Sequence, residues 1–407
     1  MLWPPPARIT TPGHGLRGRR ASGGATTPIN YAAPIDYVVF PSTAKPKLVV
    51  PNRPRRVSAA AVRNFNTGSS GRKRLAVNAL AGAVRLGVGQ LVAGRLAVAY
   101  PAGVPASGIE AHLSEVLGRP VQVSLYIGPA RAVRKPVLQV LDDRGTTFAF
   151  AKLGVDDFTR ELVRSEGEVA RFLSALPLQV LRVPAVLHSG TWNGHELVVQ
   201  SAFPRGAAAD PMSPEFSAAV NELARARGTR TLPLALSSYW TRLRGRLEAQ
   251  PPGPFRAVLD DSVTRIEESV GAVELAFGSW HGDWAPWNMT VSDGHLLVWD
   301  WERFQTDVPV GFDAVHFDVQ GPVVFDAVPP AQAFRNTLGR ASRLLAPYGS
   351  DDVTAALLVW LYAIELALGY LEDREAEVGR TRMGRMSTWL TDTLHSASER
   401  TLGVHSA

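Results

Sequence analysis

Three β-rich runs, VQVSLYIG (121–128), PVLQVL (136–141) and TTFAFAKLG (146–154), precede a helical pattern over about 156–176, and two more strands lie within LHSGTWNGHELVVQSAF (187–203). The second and third runs are joined by Asp-Asp-Arg-Gly and the last two by Asn-Gly, both hairpin turns. After Pro204, apolar residues recur at helical spacing near 213–227, 234–249, 254–276, 330–347, 351–373 and 380–396. Strands grouped first and helices grouped second predict an α+β chain, not a doubly wound parallel sheet. The expected division is an antiparallel sheet lobe over 118–203 and a mainly helical lobe over 204–407.

The preceding residues read differently. Residues 1–35 mix Pro, Gly, Thr and Arg without apolar periodicity, and such a segment is expected to be a disordered arm whose removal leaves the fold unchanged. Arg19 and Arg20 are followed by ASGGATTPIN, which is no apolar core of an export signal. Residues 36–117 form an accessory region: a hairpin of YVVF and KLVV, helical patterns at 58–65 and 73–89, and a helix expected to start at a Ser107–Glu110 capping box.

Charge divides along the same line. Residues 1–80 hold thirteen Lys or Arg and one acid, Asp36, a net +12, so the overall +6 leaves −6 for residues 81–407. A basic segment of this kind suits an anionic partner (nucleic acid, membrane surface or acidic protein) or is a solvated arm. With no cysteine in the chain, disulfides, thiolate metal sites and cysteine nucleophiles are excluded. No apolar run of about 18 residues free of charges suggests a membrane span, and the chain is read as cytoplasmic, its oligomeric state open.

Transfer of a γ-phosphoryl group needs a lysine on the nucleotide phosphates, oxygen ligands for Mg²⁺ and a carboxylate beside the acceptor hydroxyl. The chain has five lysines, and Lys152 sits inside the apolar strand FAFAKLG, where it either pairs with an anion or snorkels to solvent. Glu166 shares a helical face with Leu162, Val169, Ala170 and Leu173, whereas Glu168 points away, so Glu166 is the expected partner if it is not a margin residue of that stripe. Farther on, HGDWAPWNM (281–289) places Asp283 five residues before Asn288, and the strand LLVWD ends on Asp300. This is the spacing of a catalytic Asp, a metal-binding Asn and a metal-binding Asp. His281 in such a loop is expected to brace the backbone. Trp284, Trp287, Trp299 and Trp301 crowd these segments, either as core or as faces for a sugar ring or a quaternary amine.

HGDWAPWNM followed by VWDWERF, with FAFAKLG and SEGEVARFL upstream, resembles the aminoglycoside phosphotransferase and choline kinase family, over about residues 118–396. The resemblance implies a protein-kinase-like two-lobe fold with ATP and Mg²⁺ as cofactors and a small-molecule hydroxyl as acceptor. It implies Asp283 as base, Asn288 and Asp300 as metal ligands, and Asp313 as a support for the catalytic loop. The nucleotide would lie near Gly128, Lys152 and Ala202, although the turn GPARAVRK is not glycine-rich and Gln200 stands where relatives carry an acid. Acids of the helical lobe line the acceptor cleft in that family, which points to Glu365 as an acceptor contact; a core glutamate paired with an arginine is the other reading. Two further functions compete: a catalytically silent nucleotide- or metabolite-binding scaffold, and a metallohydrolase using His281, Asp283 and either His295 or His316. No Ala-Pro-Glu ends an activation segment, so a protein kinase is disfavoured.

Overall fold

Alternating apolar residues and hairpin turns in the first half of the chain produce one nine-stranded antiparallel sheet. The computed structural model describes residues 2–11, 31–52, 54–64, 71–88, 93–104, 107–127 and 135–372. In chain order come β1 (Arg8–Thr10), β2 (Ile35–Pro41), β3 (Pro46–Pro51), α1 (Arg55–Asn64), α2 (Gly71–Leu86), β4 (Gly94–Ala99), α3 (Ile109–Val116), β5 (Gln122–Tyr126), β6 (Val137–Leu141), β7 (Thr147–Gly154), α4 (Asp157–Ser174), β8 (Leu181–Arg182), β9 (Val186–Trp192) and β10 (His195–Ser201). The sheet order is β1-β4-β2-β3-β5-β6-β7-β10-β9. Its residues belong to one compact unit, comprising Met1–Pro129, Arg134–Gly167 and Ala185–Phe203.

The accessory region is therefore continuous with the sheet it precedes. β3 pairs with β5 through Leu48↔Tyr126 and Val49↔Leu125, so the line drawn at residue 117 separates no bodies. The β2–β3 hairpin buries Val38, Phe40, Leu48 and Val50 against Val57, Ala61 and Val84 of α1 and α2, and pairing with β5 covers a strand edge that would otherwise be open. On the next stretch, Leu138, Val140, Ala149, Ala151, Leu153, Leu197 and Val199 share a face packed on Ile109 and Leu113 of α3.

Part of the supposedly disordered arm is ordered. Leu2 is 5% exposed and belongs to the cluster around Ile109 and Leu113, and the Trp3 ring lies 4.9 Å from that of Tyr37. The Leu2 carbonyl accepts the Ile109 N–H at 3.0 Å, satisfying a free donor at the start of α3. The capping box expected at Ser107 is not made: α3 has Gly108 as its N-cap without a side-chain bond, and Glu110 instead accepts from Tyr37 (2.8 Å) and the Val123 N–H (3.0 Å). Composition hid this because two apolar residues, Leu2 and Trp3, make no periodic pattern. Residues 12–30, with Arg17, Arg19 and Arg20, lie outside the described residues, and so does 373–407, with the helix expected at 380–396.

The second unit comprises Ala130–Val133, Glu168–Pro184 and Pro204–Ala407. After α5 (Pro214–Arg225), β11 (Arg230–Pro233), α6 (Ser238–Glu248) and α7 (Pro254–Val270), the chain makes β12 (Glu274–Trp280), β13 (Met289–Ser292), β14 (His295–Val298) and β15 (Gln305–Pro309). Four helices follow: α8 (Phe312–Phe325), α9 (Pro330–Leu338), α10 (Ala341–Leu345) and α11 (Asp352–Glu372). The expected helix over 254–276 is too long; it stops before Gly271, where a Cβ would meet the Glu267 carbonyl at 2.4 Å, and residues from Glu274 pair in the sheet β11-β12-β15. Gly339 and Arg340 likewise split the helix expected over 330–347. By length and composition α11 could cross a membrane, contrary to the sequence reading, but 61% of that stretch is buried and Ala355, Leu358, Val359, Leu361 and Ile364 lie in the core of this unit. The α+β class expected from the sequence, strands grouped mainly first and helices mainly second, is the class observed.

Candidate active site

The strand lysine and the helix glutamate meet. Lys152 Nζ lies 2.6 Å and 2.8 Å from the two carboxylate oxygens of Glu166, and both side chains are buried, while Glu168 is exposed. Local chemistry fixes this geometry. A Cβ on Gly154 would collide with Arg160 Cα at 2.4 Å, so a glycine there lets α4 start against the end of β7. Asp156 caps the helix, its Oδ1 accepting the Thr159 N–H at 2.8 Å. Val137 and Val198 are the cross-strand neighbours of Lys152.

Of the other two nucleotide candidates, Gly128 lies outside the described residues, and Ala202 is half corrected. Its N–H already donates to the Phe148 carbonyl at 2.9 Å, so that donor is not free for a nucleobase and only the Ala202 carbonyl remains. Gln200, 4% exposed, pairs across the sheet with Phe150 on the face that carries Lys152, and its Nε2 has no partner among the described residues.

The catalytic-loop residues form their own assembly in the second unit. β12 delivers His281, and a tight turn follows in which Gly282 has φ +83; a Cβ there would meet the Arg303 carbonyl at 2.5 Å. Asp313, near the start of α8, accepts the N–H groups of His281 (2.9 Å) and Gly282 (3.3 Å), the bracing role that the resemblance implied. Burial pushes the Asp313 carboxyl up to about 7 against those two bonds. His281 is fully buried and both ring nitrogens are taken: Nδ1 accepts the Asp283 N–H at 3.1 Å, which leaves Nε2–H to donate to the Trp299 carbonyl at 3.0 Å. It has no lone pair left for a metal, so the metallohydrolase reading loses its first ligand.

Burial lowers His281 to about 4. The neutral ring is therefore kept in the fold while the unfolded chain protonates near 6.5, and stability rises with pH between about 4 and 6.5. Its contribution, on the order of 3 kcal/mol, is fully present above 6.5 and lost as pH falls through about 4. In metal-free buffer the His281 ring proton signals, identified by their absence in His281→Gln, should show a titration midpoint below 5; a midpoint near 6.5 would contradict this burial effect.

Asp283 carries the densest set of contacts. Its Oδ2 accepts from Asn288 Nδ2 at 2.9 Å, and the same amide donates to the Asp283 carbonyl at 3.0 Å. Its Oδ1 lies 3.2 Å from His316 Nε2. Burial, the largest single influence, favours the neutral acid, but the hydrogen bond from His316 and the nearby histidines together outweigh it and hold the carboxyl below its usual range. With the Asn288 nitrogen committed, its Oδ1 is the atom left to face a cation. Asp300 adopts a left-handed backbone (φ +73, ψ 51), uncommon for Asp and frequent at functional turns, and a Glu302 carboxylate oxygen lies within 4.8 Å of one from Asp300. An amide oxygen and two carboxylates are hard donors that suit Mg²⁺. The backbone joins the two segments, since the Trp299 N–H donates to the Asn288 carbonyl at 3.0 Å. Sequence reasoning missed Glu302, whose signal was an acid two residues after the strand-end Asp, and named His316 only as an alternative metal ligand, with nothing local to mark it as the partner of Asp283.

Two proposed acceptor contacts are corrected. Trp284 is fully buried, edge-on to Phe216 (6.1 Å) and His281 (5.8 Å), and is core. Trp301 is core too, its Nε1–H donating to the Val298 carbonyl at 3.0 Å. Glu365 is locked by Arg246 of α6, which also holds Glu372 with two bonds of 2.8 Å, so this pair clamps α6 to α11 and is no acceptor contact. Glu365→Gln should cost about 1–3 kcal/mol in unfolding experiments, as loss of a charged hydrogen bond does, and leave turnover unchanged. A rise in acceptor KM at unaltered stability would restore the withdrawn role. Trp287 is only half-buried and stacks edge-on to Phe325 at 6.0 Å.

No protein-family profile and no curated protein sequence matches the chain. Solved structures do resemble it in course. An aminoglycoside phosphotransferase crystallised with ADP and hygromycin B is 13% identical, with 72% of this chain and 98% of that one covered at a TM-score of 0.47. The choline kinase of Streptococcus pneumoniae is 15% identical over 72% and 97% of the two chains, at 0.46. The GDP complex of an aminoglycoside 2'-phosphotransferase is 13% identical over 71% and 99%, also at 0.46.

Proposed function

We propose that this chain transfers the γ-phosphoryl group of ATP to a hydroxyl of a small molecule. The observation that carries the reading is Asp283: an ionised carboxylate fixed by Asn288 and His316, in a unit that also holds the neighbouring carboxylates of Asp300 and Glu302, oxygen donors of the kind that hold Mg²⁺. In the transfer, the acceptor oxygen forms a bond to the γ-phosphorus as the bond to the bridging oxygen breaks. ADP leaves with that electron pair, and the acceptor proton passes to Asp283. Lys152, held by Glu166, would bind phosphate oxygens. Asn288, Asp300 and Glu302 would hold the cation, which neutralises phosphate charge when bound. Trp287 and Trp299 are the remaining aromatic candidates for the acceptor. Retention of both the lysine–glutamate pair and the Asp283 assembly favours this reading over a silent scaffold.

Acceptor-stimulated ADP release, measured across aminoglycosides, sugars and amino alcohols, is the test. The expected result is release with Mg²⁺ or Mn²⁺ and a fall to background in EDTA. Binding of nucleotide with no transfer to any acceptor would favour the scaffold.

A further inference from the structure

His316 has no role in the reading above beyond touching Asp283, and it belongs to a buried chain of hydrogen bonds. It lies on α8, one turn after Asp313, and is 6% exposed. Its Nε2 is 3.2 Å from Asp283 Oδ1, and its Nδ1 is 3.1 Å from the Tyr362 hydroxyl of α11. Tyr362 is 1% exposed, and burial pushes its phenol far above the usual value, so it keeps its proton. The phenol O–H is a donor whose partner among the described residues is His316 Nδ1, so its proton points at that nitrogen. An imidazole whose Nδ1 accepts carries its proton on Nε2, the nitrogen that lies 3.2 Å from Asp283 Oδ1.

We infer that His316 is a positioning residue for the transfer: Tyr362 fixes its tautomer, and its Nε2–H holds the Asp283 carboxylate in one rotation. This rests on the reading of Asp283 as the base. Without His316, Asn288 would tie only Oδ2, and the carboxylate would swing about its Cβ–Cγ bond. With both donors in place, each carboxylate oxygen has accepted one bond and keeps one lone pair, and the set of directions from which an acceptor hydroxyl can be approached is fixed. His316 is not a metal ligand, since both nitrogens are engaged. Nor does it take the acceptor proton, because Nε2 already carries one. Its effect is on orientation, and so on kcat more than on substrate binding. His316 and Tyr362 sit on two helices that pack together in the core, which makes the carboxylate's rotation a property of how α8 and α11 meet.

Two measurements test this on the full chain. Nitrogen NMR of ¹⁵N-histidine protein, with the signal identified by its loss in His316→Gln, reads the tautomer directly and needs no activity. Nε2 should be protonated and Nδ1 bare at pH 7.5, and Tyr362→Phe should shift the proton towards Nδ1. A proton resident on Nδ1 in the wild type overturns the inference. The second measurement is ADP release from Mg·ATP with water as acceptor. His316→Phe should lower kcat ~10–100-fold with the ATP KM within about twofold, the scale of a misplaced catalytic group. His316→Gln, which returns an N–H near the Nε2 position, should recover most of that loss. Tyr362→Phe should lower kcat ~3–10-fold alone and have no further effect in the His316→Gln background, since coupled residues are non-additive. An unchanged kcat in His316→Phe, where Asp283→Asn abolishes release, overturns the inference and leaves the base reading intact. Continued release by Asp283→Asn sinks the base reading instead, and the NMR result still decides how His316 is held.

Discussion

Asp283→Asn should reduce phosphoryl transfer on the order of 10³-fold, the range expected when a general base is removed. The substitution preserves shape but not acceptor capacity. Asn288 Nδ2 and His316 Nε2 both aim donors at the two carboxylate oxygens, and an amide offers one oxygen and one NH₂ in their place. One of the two bonds is therefore lost, at a cost of ~1–2 kcal/mol in stability. Nucleotide affinity should stay within about twofold, because the role proposed for Asp283 is at the acceptor, not at the phosphates. Asp300→Ala should differ in kind, weakening Mg²⁺-dependent nucleotide binding as well as turnover. Titration calorimetry with Mg·ATP separates the two, and a normal rate for Asp283→Asn would remove the base assignment and with it the proposed mechanism.

The second large effect reverses an expectation. Deleting residues 2–11 should destabilise the strand-rich unit by about 3–5 kcal/mol, the range for loss of a large buried side chain. Leu2 fills a place between Ile109 and Leu113, Trp3 packs on Tyr37, and the Leu2 carbonyl caps α3 through the Ile109 N–H. The three residues of β1 are exposed and should add little. Leu2→Ala should reproduce most of the loss, ~2–4 kcal/mol. Thermal unfolding followed by circular dichroism would show a fall of roughly 10 °C for the deletion. An unchanged midpoint would mean that Leu2 is replaced at no cost and that residues 2–11 are indeed dispensable.

Legibility followed the range of the physics. Strands β5, β6, β7, β9 and β10 were readable because β-rich runs and turn residues lie within a few positions of one another. Glu166 was readable against Glu168 because helical geometry alone puts one inward and the other outward. Helix α8 was not: residues 312–321 are all buried, so it shows no polar face and no periodic signal. With it went His316, one histidine among nine, whose meaning depends on Asp283 and Tyr362 lying 33 and 46 residues away. The join of β3 to β5 was hidden for a similar reason, since pairing partners 76 and 78 residues apart leave no local mark.

Two tryptophans three positions apart show where the boundary falls. Sequence put Trp284 and Trp287 beside Asp283 and could not distinguish them; packing against Phe216 and Trp301 made the first core, and an open side next to Phe325 left the second half-exposed. Glu365 met a similar fate. Its cost of burial was evident from the apolar run around it, but the compensating group was not, because Arg246 comes from another helix. What the sequence determined by itself was the set of reactive groups and their local geometry: Lys152 on a strand, Glu166 on the inward face of the next helix, Asp283 and Asn288 in one loop, Asp300 at a strand end. Only the tertiary structure decided which of them carry hydrogen bonds and which are core, because a side chain's partners and exposure are set by chain segments remote in sequence, and periodicity carries no information about those.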